Sequence, residues 1–182
     1  MPNWCTGNIR FRGKKEDIVK LLENEVEYCT ANFDDVVTHP VTVGTDNWEL
    51  TIYPPKDVNL DKSGWYHIKE TRRAFLDSES DCLYSTCFYE LEPEFGKPAE
   101  NNIIDAEPWL LIIDGFKQAW DIRAEEFTEM SEKYNVDIRI FAWEQGMQFE
   151  REIEIQKGKI LVDRTMKYDD WDWDCPLPWI GG

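Results

Sequence analysis

From Cys5 to Arg12 the chain alternates, with Ile9 and Phe11 on one side and Arg10 and Arg12 on the other. A period of two predicts a half-buried strand, and Gly13 ends it. From Lys14 to Val26 the period lengthens. Ile18, Leu21, Leu22 and Val26 recur at helical spacing among Glu and Lys, which predicts an amphipathic helix. Trp4, one step before Cys5, is expected to anchor the strand's start in the core, because large rings at strand ends are mostly buried.

The runs 36–43 and 48–53 are rich in β-formers and are separated by the turn signal Gly44-Thr45-Asp46-Asn47. Pro54-Pro55 stops the second run. Residues 65–76 predict a short helix carrying Lys69, Arg72 and Arg73. The run 109–120 fits either a strand or a helix, since periodicity does not separate the two there. Residues 123–134 predict a helix with Phe127, Met130 and Tyr134 on one side, closed by Asn135. Strands are then expected over 136–142, 150–156 and 160–162, with Lys157-Gly158 as a two-residue hairpin turn.

This order predicts an α+β sandwich: one antiparallel sheet with helices on one face, in the ferredoxin-like split βαβ arrangement. It is read as a single domain over 1–182. An acidic insertion falls at about 77–108, with nine acids against one lysine. An acidic, aromatic tail follows at 168–182.

Charge narrows the partners. The net charge is -17, from 20 Lys and Arg against 37 Asp and Glu. Such a field repels phosphates, so duplex DNA on its own is not an expected partner, whereas a protein with a basic surface is. Nine Trp and 14% aromatic residues suit a core rich in rings or a recognition surface. Five Cys without a CxxC pair, and two His, space out no zinc set, so neither metal nor cofactor is expected. Free thiols fit a reducing cytoplasm. Met1-Pro2-Asn3 leads into no apolar run of the signal-peptide kind, and no window of about 20 apolar residues predicts a membrane span.

The opening "MPNWC", with its alternating strand ending in Gly, resembles the start of the YubB-like ferredoxin-like family of plasmids, phages and other mobile elements. So do Ala119-Trp120, the helix ending at Tyr134, and the acid, turn and Phe of Glu144-Gln145-Gly146-Met147-Gln148-Phe149. Gly44-Thr45 followed by Trp48 is loosely similar to the family's Gly-Thr-x-Trp stretch. The family usually has Pro where this chain has Gln145. The resemblance implies the ferredoxin-like fold and a mobile-element origin, and it carries no catalytic residues. In size and charge the chain is also similar to the type II-A anti-CRISPR inhibitors, whose targets hold guide RNA and DNA in basic channels.

Three places carry candidate chemistry. In the tail, Asp169, Asp170, Asp172 and Asp174 alternate with Trp171, Trp173 and Cys175. Rings can anchor in a partner's pocket while carboxylates meet Arg or Lys. In the insertion, Glu90, Glu92 and Glu94 alternate with apolar residues and form a second acidic contact candidate. In "GWYHIKETRRAF", His67 offers a general acid or base, Lys69, Arg72 and Arg73 a phosphate clamp, and Tyr66 a stacking ring. His39, before Pro40, reads as a turn residue.

The leading expectation is therefore an anti-CRISPR type inhibitor that binds the type II CRISPR effector nuclease with its guide RNA. A nuclease, or a protein that promotes truncation of the guide RNA through the His67 region, is the alternative. A mobile-element accessory protein of other activity is the third. No phosphate-cradling Gly loop, GxSxG, HExxH or dinucleotide fingerprint supports another enzyme class.

Overall fold

In a computed structural model of the chain, residues 3–32, 35–46, 49–56, 64–76, 83–85, 88–90 and 109–175 are described. The first strand, β1 (Trp4–Gly13), buries Cys5, Ile9 and Phe11 on one face, as the alternation predicts. The predicted first helix is α1 (Lys15–Glu25), which buries Ile18, Leu21 and Leu22. Four strands follow: β2 (Val26–Asn32), β3 (Asp35–Pro40), β4 (Thr42–Asp46) and β5 (Glu49–Tyr53). Then come β6 (Gly64–Ile68), β7 (Ala74–Leu76), β8 (Leu83–Ser85), β9 (Phe88–Glu90) and the long β10 (Trp109–Ala119). A 3-10 turn (Ala124–Phe127) runs into α2 (Thr128–Tyr134). Last are β11 (Asp137–Glu144), β12 (Phe149–Gln156), β13 (Lys159–Lys167) and the one-turn helix α3 (Trp171–Asp174).

The large sheet has the order β13-β12-β11-β1-β10-β7-β6-β2-β3, with β9 also paired to β10. A second sheet is ordered β4-β5-β8. Among the described residues every strand pair is antiparallel. One core joins Ile9 and Phe11 of β1, Leu21 of α1, Phe127 of the 3-10 turn, and Leu50 and Ile52 of β5. The small sheet thus shares with the helices the task of covering the large one.

This architecture overturns the ferredoxin-like split βαβ expectation. That arrangement places one strand between the two that flank the first helix. Here three strands, β10, β7 and β6, stand between β1 and β2. The protein is mostly β, and part of the cover over its core is a second sheet. Two misread segments account for the difference. Residues 65–76, expected as a helix, form the β6–β7 hairpin, in which Tyr66 and Ile68 point to the core and Trp65 and His67 point away. The ambiguous run 109–120 is β10, which pairs along almost the whole of β1.

Gly44, Thr45 and Asp46, expected as a turn, lie within β4, and the expected run 36–43 is split between β3 and β4 of the two sheets, while two other local readings hold. Asn135 takes the left-handed conformation (φ 53°) that closes α2. Lys157 and Gly158 are both left-handed (φ 48° and 75°), as a two-residue hairpin turn requires. Of the insertion over 77–108, only β8 and β9 lie within the described residues. Among the described residues no helix is long and apolar enough to cross a membrane.

Candidate functional site

Alternation on β1 puts Cys5 into the core and Trp4 on the opposite face, so Trp4 is not the core anchor expected of it. Burial pushes the Cys5 thiol far above its usual range, with Asp121 and Glu144 adding to the effect. Trp4 instead packs its ring 5.7 Å from Phe75. The Arg73 guanidinium lies 5.4 Å from the Trp4 ring and 5.9 Å from that of Trp120, while Lys117 Nζ lies 5.6 Å from Trp4. Arg72 stands 4.6 Å from Trp120. These contacts make a ladder of cations and rings at the end of β1, β7 and β10. Arg73 and Trp120 both hold positive φ (53° and 67°), which costs a residue with a bulky side chain. Sequence reasoning did not find this ladder, because Trp4 and Trp120 meet Arg73 only through the sheet.

The candidate residues His67, Lys69 and Arg72 each engage a different partner. His67 Nδ1–H donates to Glu27 Oε1 at 2.9 Å, and the ring lies 5.4 Å from Phe75. Lys69 Nζ donates to the Asn24 carbonyl at 2.7 Å, near the end of α1. Arg72 lies over Trp120, and its backbone N–H donates to Glu126 Oε2 at 2.8 Å. Tyr66, proposed to stack on a base, is buried and donates its hydroxyl to the Ile52 carbonyl at 3.0 Å. His39, read as a turn residue, lies in β3, with Nε2 3.3 Å from Thr30 Oγ1.

Two residues beside His67 escaped the sequence reading. Glu27 pairs directly with His67 across β2 and β6, and Cys29 lies two residues further along β2. Successive side chains alternate on a strand, so Glu27 and Cys29 share the face of His67. A carboxylate oxygen, Sγ and a ring nitrogen of these three lie within 4.8 Å of one another. Burial, helped by the Glu27 charge, pushes the Cys29 thiol up to about 11. The signal was available as alternation over 26–32, a stretch that had been assigned no strand.

The acidic tail is divided by its own turn. Trp171–Asp174 forms a helical turn, and the Asp170 side chain accepts from the Trp173 backbone N–H at 3.3 Å. Trp171 is buried with Trp143 and Cys175, flanked by Phe141 and Tyr168. The Tyr168 ring meets Trp171 edge-on at 5.3 Å. Burial and its hydrogen bond to Glu150 hold the Tyr168 phenol well above its usual range. Trp173, one turn position away, is 86% exposed. Asp169, Asp170, Asp172 and Asp174 are exposed as well.

Glu90 ends β9 opposite Trp109. Glu92 and Glu94 lie outside the described residues, as does Trp179. No protein-family model matches the chain, and no curated protein or solved structure is significantly similar to it.

Proposed function

We propose that the chain works by binding, as an inhibitor that docks its acidic turn 169–174 on a basic surface of a nucleoprotein partner. The partner class that the likeness in size and charge to anti-CRISPR inhibitors implies is the type II CRISPR effector with its guide RNA. The observation that carries the binding reading is the pairing of Trp171 and Trp173. One indole roots the turn in the protein, and the other stands in solvent, with four exposed aspartates beside it in the sequence. An exposed indole offers a large apolar area to bury on docking, and neighbouring carboxylates suit Arg and Lys. The overall charge of -17 would speed the encounter with a basic groove. The alternative, truncation of guide RNA through His67, Lys69 and Arg72, has less support, because each is committed to a different neighbour.

The test mixes the full chain with effector loaded with guide RNA, on a native gel at low and high salt. A shifted complex that weakens with salt, carries intact RNA, and is lost in Trp173→Ala or in the fourfold Asp→Asn variant supports docking through the turn. Asn still caps the turn, so that variant removes charge and keeps shape. No shift with the wild-type chain overturns the effector as partner. Shortened RNA overturns simple occlusion.

A further inference from the structure

We propose that Glu27, Cys29 and His67 bind one divalent cation of the zinc class, through a carboxylate oxygen, the Cys29 thiolate and an imidazole nitrogen. Glu27 and His67 are cross-strand partners in the β2–β6 ladder, and Cys29 is the next residue of β2 on that face. All three donor atoms fall within 4.8 Å of one another. Tetrahedral bonds of about 2.0–2.3 Å place neighbouring donors roughly 3.3–3.8 Å apart, so side-chain adjustments of about 1 Å close the set.

The backbone that carries the donors is fixed. Both strands lie within the large sheet, with β3 beyond β2 and β7 beyond β6. Phe75 stands opposite His67 in β7 and packs against the imidazole, which limits its swing. Cys29 is 2% exposed, while Glu27 and His67 keep side-chain exposures of 17% and 22%. A cation can therefore enter from the side of the Glu–His pair and meet the thiol beneath.

The donor chemistry chooses the ion. A thiolate and an imidazole favour zinc and its late first-row neighbours over calcium or magnesium, which take oxygen ligands. Three protein donors leave a fourth position for water or a partner's ligand. On binding, the Cys29 S–H bond breaks, the sulfur lone pair forms the metal–sulfur bond, and the proton passes to solvent. No electron changes hands. The site shares no residue with the acidic turn, so it stands or falls apart from the proposed docking.

The test uses the full chain, reduced and stripped with chelator, then titrated with cobalt(II) as a spectroscopic stand-in and zinc(II) as competitor. One cobalt per chain with a thiolate-to-cobalt charge-transfer band, displaced by zinc, is expected. Cys29→Ser should abolish the band. Glu27→Gln and His67→Ala should each weaken binding at least about tenfold. Circular dichroism checks that each variant is folded, and Glu27→Gln, nearly isosteric, serves if Cys29→Ser does not fold. No band, a band that survives Cys29→Ser, or unchanged affinity in Glu27→Gln would overturn the site.

Discussion

Asn3 fills the space that Gly146 leaves: a Cβ on Gly146 would stand 2.6 Å from Asn3 Nδ2 and 2.9 Å from Glu144 Oε1. The Asn3 carbonyl in turn accepts the Trp120 backbone N–H at 2.7 Å. The opening stretch, the end of β10 and the β11–β12 turn thus meet at one corner of the sheet. Glu144 organises that corner. It is fully buried, and its carboxylate accepts the backbone N–H groups of Gly146, at 2.8 Å, and Met147.

Glu144→Ala is therefore expected to destabilise the fold by about 2–3 kcal/mol, through two lost charge-assisted bonds and the space left behind. Gly146→Ala should cost about 1–2 kcal/mol: the exposed Asn3 side chain can swing away, but the buried Glu144 Oε1, 2.9 Å from the new Cβ, is held by the turn and must shift. Urea unfolding of both variants gives the comparison. A larger loss in Gly146→Ala than in Glu144→Ala would mean that Asn3, and not the carboxylate, fixes the turn.

Gly7 allows no such escape. A Cβ there would lie 2.1 Å from the Phe141 carbonyl oxygen and 2.6 Å from the Ala142 Cα. Both obstacles are backbone of β11, so β1 and β11 must part at the site. Gly7 also borders the register shift between β1 and β10. Gly7→Ala should cost at least about 3 kcal/mol, at the upper end of overpacking effects. The check is a thermal melt followed by circular dichroism; a melt within a few degrees of wild type would contradict the close approach.

The two tail indoles should separate cleanly by substitution. Trp171→Ala removes a ring packed on Trp143 and Cys175 and should cost about 3–5 kcal/mol. Trp173→Ala removes a ring standing in water and should change stability by no more than about 0.5 kcal/mol. Urea midpoints of the two variants test this. Similar losses in both would mean that Trp173 packs against something in solution.

Legibility in the sequence followed the range of the interactions. β1, α1, α2 and the β12–β13 hairpin were readable, because period, cap and turn residues lie within a few positions of each other. Asn135 and Lys157-Gly158 carry their own left-handed geometry wherever the chain places them. Residues 65–76 misled because Lys69, Arg72 and Arg73 suggested a helix face. Glu70 and Arg73 instead take positive φ in the loop between β6 and β7. β10 was undecidable locally, since its strand state comes from pairing with β1. Among candidate groups, His67 was legible as chemistry, but Glu27 and Cys29 acquire meaning only through the β2–β6 register. Trp171 and Trp173 looked equivalent in sequence, and the turn capped by Asp170 is what sends them to opposite environments.

Acid should act on the sheet's charged face through Glu152. Arg10 and Arg139 are directly opposed across β1 and β11, a repulsive pairing of like charges. Glu152 draws Arg139 aside with a contact of 2.6 Å, and it also holds Arg164. The hydrogen bond from Arg139 is the main reason that the Glu152 carboxyl sits below the usual carboxylate range, with Arg164 adding to it. A carboxyl lowered in the folded state binds its proton less readily than in the unfolded chain. Its contribution is therefore complete above the ordinary carboxylate value and is lost as pH falls through that value towards the folded one. Glu152→Gln should lower stability at pH 7, flatten the loss between pH 5 and pH 3, and differ less from wild type in high salt. Urea unfolding across that pH range reads all three, and an acid limb as steep in Glu152→Gln as in wild type would assign the acid sensitivity to other carboxylates.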